Sequence, residues 1–296
     1  MRPVFAVVGF ALFAGAALPA ARPAQQPPPQ ATFRGGTRTV AVYATVQDAA
    51  GRLVPNLTRD DFSVLDEGTP VPLTVFSSDR QDITVVLLLD MSASVAGEFL
   101  RVRDAARHFV DQLRPGDRVR IGTFGAEVGL SPWLTGDRTR LLQILGEELW
   151  PGGGTPLYAA LDAAMTSLRD EPGRRVLLAL TDGADFSGMR RETPAVVAKR
   201  AVDGGFMVYV IGLEGPGLAG SVVGLANETG GGRFELRRNA ELASTMARVV
   251  EELHHQYVLG FVPATLDGRT HRLEVRVKEP RYVARARRSY IAEADR

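Results

Sequence analysis

The chain predicts an α/β fold: a doubly wound, mainly parallel sheet flanked by antiparallel β segments that form a smaller β domain. Two observations lead there. Between residues 82 and 256, short apolar runs alternate with stretches of helical period, the mark of strand and helix units whose sheet is covered on both faces. On either side of that stretch, apolar and polar residues alternate with period two between short turn signals, as antiparallel strands do. At 296 residues the chain is long enough for more than one domain.

Residues 1–21 carry an early arginine, an apolar stretch from Val4 to Leu18 and then small residues. This is the layout of a secretory signal peptide cut near Ala20 or Ala21; left uncut, the same stretch would act as an anchor. Residues 22–36, rich in Pro and Gln, read as a disordered linker. In the N-terminal β segment, 37–81, Val40, Val42, Ala44 and Val46 share one face and residues 48–51 supply a turn. Phe62 and Val64 follow, then a turn at 66–68, after which Leu73 and Val75 alternate on one face.

In the central domain, 82–256, the apolar run ending at Asp90 is the first buried strand. A helix follows with Phe99, Val102, Ala106, Phe109 and Leu113 on one stripe. Residues 118–125 give the next strand, 127–134 an edge strand and 138–149 a helix. Thr155 is placed to cap another helix whose first residue is Pro156. Strands at 174–182 and 206–213 bracket a helix near 191–204, and a strand at 233–236 leads to a helix carrying Leu242, Met246, Val249 and Leu253. The C-terminal β segment, 257–291, places Leu273, Val275 and Val277 on one face. Neither flank has enough strands for a sandwich of its own, so the two are expected to share one.

A formal net charge of +1 argues against nucleic acid or an anionic membrane as partner. Arg281, Arg285, Arg287 and Arg288 read as a solvated strand face. Cysteine is absent, which excludes disulfides, Cys-ligated zinc and thiol catalysis. After the N-terminal stretch no segment approaches the ~20 apolar residues of a membrane span. The mature protein is therefore expected to be exported, either secreted or periplasmic.

The chemistry gathers where strands end. Ligands of open α/β sheets bind beyond the carboxyl ends of the strands, and Asp90 stands at such an end. Residues two apart in extended chain point the same way, so Asp90, Ser92 and Ser94 converge, offering a carboxylate and two hydroxyls. Thr155 follows three glycines that let backbone approach closely, and Asp182 with Gly183 ends another buried run. Each has a plain alternative: Ser92, Ser94 and Thr155 as helix caps, Asp182–Gly183 as a turn. Taken together, three oxygen-rich loops point to Mg²⁺, with Mn²⁺ and Ca²⁺ compatible.

The motifs "DMSAS", "GGGTPLY" and "LTDGAD", in that order, resemble the metal-ion-dependent adhesion site of von Willebrand factor A domains, and the flanks resemble bacterial exported proteins of that kind. The resemblance covers roughly residues 82–256. It implies a Rossmann-like domain in which Ser92, Ser94 and Thr155 contact the metal and Asp90 and Asp182 act through water. Gly153, Gly154 and Gly183 lie beside the ligand position. It also implies a non-enzymatic module whose cation engages an Asp or Glu of a partner protein. Two other classes stay open. A phosphohydrolase with Asp90 as nucleophile would want a second Asp where Ser92 stands and a lysine other than the helical Lys199; a serine hydrolase lacks its G-x-S-x-G turn, and His108, His254 and His255 fall on helices. The third class is a scaffold with an unused metal site.

Overall fold

A computed structural model describes residues 39–147, 152–183, 185 and 192–294; the expected signal peptide (1–21) and linker (22–36) lie outside the described residues. The chain opens with β1 (Val40–Gln47), β2 (Phe62–Asp66), β3 (Thr69–Val71) and β4 (Leu73–Ser77). The middle comprises β5 (Thr84–Asp90), α1 (Phe99–Asp111), β6 (Arg118–Phe124), β7 (Val128–Leu130), α2 (Arg138–Glu147), α3 (Leu157–Ser167), β8 (Arg175–Thr181), α4 (Pro194–Asp203), β9 (Phe206–Gly212), α5 (Gly220–Thr229), β10 (Arg233–Glu235) and α6 (Leu242–His254). It closes with β11 (Tyr257–Phe261), β12 (Thr270–Val277), β13 (Val283–Arg285) and β14 (Ser289–Ile291).

The fold class is the one the sequence predicts. Six strands form a sheet in the order β10-β9-β8-β5-β6-β7, parallel throughout except for β7 at one edge. Every residue of β5 is buried, because helices cover both faces of the sheet. Val85, Leu87 and Leu89 point to a core shared with α1, α2 and α6, while Val86 and Leu88 join one shared with α3, α4 and α5. From β5 the chain moves first to β6 on one side and later to β8 on the other. Asp90 thus ends the strand at which the order reverses, where such sheets open a crevice.

Helix α5 has no counterpart in the sequence-based expectation. Gly220 and Gly224 weaken its helical signal. Burial of Val222, Leu225, Ala226 and Thr229 nonetheless follows helical spacing, and Gly230 closes the helix at φ +76°. Packing, not propensity, makes this helix.

The remaining strands form two four-stranded sheets, β13-β1-β11-β4 and β14-β12-β2-β3. Each combines strands from both ends of the chain: β1 pairs with β11, and β2 with β12. Between them lie Val42, Ala44, Val46, Phe62, Val64, Tyr257, Leu259, Phe261, Leu273 and Tyr290. One detail differs from the alternation expected of β4. The register slips between Gly260 and Phe261, so that Gly260 faces Val75 but Phe261 faces Leu73. The extra residue is Thr74, and the bulge sends Leu73 and Phe76 into the core where Leu73 and Val75 were expected.

The opposite face of β1 meets the α/β domain. Tyr43 packs on its core, and buried Thr45 reaches Gln256 and Glu252 of the α6 region. Glu252 also accepts hydrogen bonds from Gln47, Tyr209 and Arg285. The junction between the two sheet systems is therefore polar and cross-linked. Among the described residues, no helix is long and apolar enough to cross a membrane.

Candidate metal centre

Two loops beyond the sheet are held together through their backbones. Met91 N donates to Phe124 O at 2.7 Å, Gly152 N to Met91 O at 2.6 Å, and Ala93 N to Gly153 O at 3.1 Å. These bonds bring the glycine loop, and buried Thr155 behind it, to the edge where β5 ends. Gly153 holds φ +81°, and a Cβ there would lie 2.3 Å from Ala126 Cα. Gly183 holds φ +95°, and its Cβ would lie 2.4 Å from Gly217 O. Only glycine allows either approach. Both glycines are thus explained by loop packing, while Gly154 lies exposed beside them.

Asp90 is 0% exposed. Its Oδ1 accepts from Ser92 N at 2.9 Å and its Oδ2 from the Thr181 hydroxyl at 2.7 Å. Burial pushes its carboxyl above the usual carboxylate range; the Ser92 and Thr181 hydrogen bonds work against that shift, and the charge of Asp182 adds to it. Ser92 is buried and Ser94 exposed, their hydroxyls 3.0 Å apart. Ser92 occupies the N-cap position of the 3-10 turn Ala93–Glu98, yet its side chain makes no capping bond.

The capping role expected for Thr155 is not the observed one. Pro156 is the N-cap of α3, with no side-chain capping bond, and a helix N–H, that of Tyr158, is bound by the Asp185 carboxylate at 3.1 Å. Asp182 is half-buried, and its Oδ1 is buried without a hydrogen-bond partner. Hydrogen bonds and backbone contacts thus tie Asp90, Ser92, Ser94 and the Thr155 loop into one edge, and Asp182 lies close enough to perturb Asp90 electrostatically.

Two residues escaped the sequence reading. Thr181 donates to Asp90 and accepts from Gly183 N at 3.1 Å, so it orients the carboxylate and the loop together. Asp185 anchors α3. Both stand in the "LTDGAD" motif, and a hydroxyl at the last position of a buried strand was the available signal for Thr181.

Among the described residues there is no group of three or more His, Cys, Asp or Glu able to hold a metal. The donors gathered here are instead two carboxylates and three hydroxyls, a hard-oxygen set that suits Mg²⁺ or a similar dication. Asp90 and Asp182 form no ion pair with any described residue, and the orphaned Asp182 oxygen is the kind of group a cation would satisfy. The residues fit a metal. The groups weighed for catalysis bond elsewhere. Lys199 pairs with Asp203, His254 with Asp117 at 2.9 Å, and His255 binds the Glu251 carbonyl at 2.8 Å.

A doubly wound sheet with oxygen donors clustered at the end of its switch-point strand defines a class of domain, and comparison with known proteins adds a family match. Residues 85–184 match the family model described as von Willebrand factor type A domain. The chain is similar in structure to a von Willebrand factor type A protein from Catenulispora acidiphila, at 13% identity over 88% of this chain and 73% of that one, with TM-score 0.53. It is also similar to proximal thread matrix protein 1 from the mussel byssus, at 16% identity over 64% of this chain and 51% of that one, with TM-score 0.52. At these identities the likeness is one of fold. A search of curated proteins finds no match.

Proposed function

We propose that the chain is a non-enzymatic, metal-dependent protein-binding module. Asp90, Ser92, Ser94, Thr155 and Asp182 would hold a divalent cation, Mg²⁺ for preference and Mn²⁺ or Ca²⁺ as compatible alternatives. When bound, the cation supplies a directional positive contact for an Asp or Glu carboxylate of a partner protein. Asp90 and Asp182 contribute negative charge, the hydroxyls contribute neutral donors, and Thr181 fixes the Asp90 carboxylate. Exposed Ser94 leaves the edge open to an incoming side chain. Specificity then falls to the surrounding loops. The apolar segment at 1–21 supports a secreted or periplasmic location.

The observation that carries this reading is the pair of neighbouring carboxylates at the sheet edge, one fully buried among neutral donors and the other with an unsatisfied buried oxygen. Such a pair is costly unless a cation offsets it. The same burial disfavours Asp90 as a nucleophile, because both of its oxygens are hydrogen-bonded and the group has no exposure.

Calorimetry with Mg²⁺ tests the site. Wild type is expected to bind one ion and to gain about 2.7 kcal/mol of stability at a hundredfold excess over Kd. Asp90→Asn should fold, melt no lower than metal-free wild type, and lose the ion. Unchanged Mg²⁺ affinity in folded Asp90→Asn would sink the assignment. Phosphatase and esterase assays should stay at background with and without Mg²⁺.

A further inference from the structure

At the opposite end of the sheet from Asp90, where β8 and β9 begin, a cavity of about 600 Å³ opens between the α/β domain and the β sandwich. Its volume is in the range of small-molecule sites. Three arginines line it: Arg174, Arg175 and Arg287.

Arg174 is 6% exposed. One guanidinium nitrogen donates to Gln256 Oε1, but Nε and Nη2 are buried without a hydrogen-bond partner. Arg175 spends two nitrogens on the carbonyls of Arg169 and Gly204, stacks over the Phe206 ring at 4.5 Å, and leaves Nε buried and unpartnered. Arg287 donates to the Ser289 and Val202 carbonyls at 2.7 and 3.5 Å, and burial lowers its pKa to about 10.

None of the three forms an ion pair with a described residue. Glu252, the buried acid of the junction, is taken by Arg285. Asp117, whose charge reaches Arg174, is bound to His254 and to the backbone of Ile83 and Arg114. Three carboxylates also line the cavity, but Asp203 is held by Lys199, Glu228 pairs with Arg288 at 3.7 Å, and Glu293 has a partner too. Guanidinium groups buried with only neutral partners are destabilising, and their planar N–H edges match an oxyanion.

We propose that this junction cavity is an anion site that binds a small molecule through a phosphate or carboxylate group, with Arg174 as its principal donor. The site is separate from the candidate metal centre and does not depend on the reading of that centre.

The test is titration of the full chain with inorganic phosphate and, in a second arm, with succinate. Ionic strength is held constant with chloride, and the buffer is stripped of metal on a chelating resin, since soluble chelators are themselves carboxylates. One-site binding and a raised melting temperature are expected in at least one arm, and the arm that responds names the head group. Arg174→Met should lower the affinity about tenfold or more, the worth of one charge-assisted hydrogen bond. Arg287→Gln should lower it as well, and it serves as the informative variant if Arg174→Met does not fold. Arg101→Gln, an exposed control, should bind like wild type. No response beyond chloride in either arm, or wild-type titration in both cavity variants, would overturn the proposal.

Discussion

Thr181 illustrates how much one hydroxyl can carry. It donates to Asp90 and accepts from Gly183 N, so it links the end of β5 to the loop after β8. Thr181→Val keeps the shape and removes both bonds. We predict that the variant folds but binds Mg²⁺ about 10–100-fold more weakly, as expected for a partner that orients a metal-holding group. Unchanged affinity by calorimetry would reduce Thr181 to a packing residue. A second residue sets a pH dependence far from that edge. His271, 9% exposed, sits between Asp66 at 3.0 Å and Asp267 at 3.2 Å, with the Tyr290 hydroxyl also within reach. Burial alone would lower its pKa, but the hydrogen bonds and charges of the two aspartates outweigh burial and raise it. A raised histidine pKa means that the native state holds the proton more tightly than the unfolded chain. The stabilisation is therefore complete below the unfolded value of ~6.5 and is lost as pH rises through the folded one. The gap in stability between wild type and His271→Gln should thus be wider at pH 5.5 than at pH 8.5. A pH-independent gap in denaturant melts would contradict this.

Helix α6 is the element on which the two sheet systems meet. Its Leu242, Met246, Val249 and Leu253 pack on the sheet, as the spacing anticipated. Its polar residues do the joining. Glu252, 2% exposed, gathers Thr45, Gln47, Tyr209 and Arg285, while His254 turns to Asp117 within the α/β domain itself. Glu252→Ala would leave Arg285 and the Tyr209 hydroxyl without their acceptor, at a cost on the order of 3 kcal/mol. Adding Arg285→Ala to that variant should cost less than Arg285→Ala alone, because the two groups share one network. Additive losses in denaturant melts would show that the pair is not coupled. The arginine run near the C-terminus makes the same point. Arg281 and Arg288 are solvated as their sequence suggests, but Arg285 and Arg287 turn inward. Their partners Glu252 and Val202 lie 33 and 85 positions earlier in the chain, and no local pattern could announce them.

At the scale of the whole molecule, the sandwich exists only when both ends of the chain are present. β1 has β11 and β13 as its neighbours, and β2 lies between β12 and β3. Removing residues 262–294 takes away β12, β13 and β14, which leaves β2 with β3 alone and opens the face that buries Phe62 and Val64. A two-stranded ribbon is marginal in water. Amide protection in β2 and β3 is therefore expected to fall sharply in the truncated chain while β5 and β8 stay protected. Retained protection in β2 would mean that the N-terminal strands hold together without their C-terminal partners.

The sequence by itself determined the class of fold and the oxygen-rich strand ends. A strand buried on both faces must be apolar along its length, and a polar group at its end stands out, as Asp90 does after Val85–Leu89. Periodicity is a local property, so it marked α1 and α6 readily and missed α5, whose glycines hide a face defined only by what it packs against. The tertiary structure alone decided the rest. It placed Thr181 beneath Asp90 and left one Asp182 oxygen unsatisfied. It shifted the core face of β4 through the bulge at Thr74, and it brought Arg174 of the α/β domain and Arg287 of the C-terminal β segment to one cavity. Each of these depends on atoms distant in the chain meeting at hydrogen-bond range, which a linear pattern of residue types does not encode.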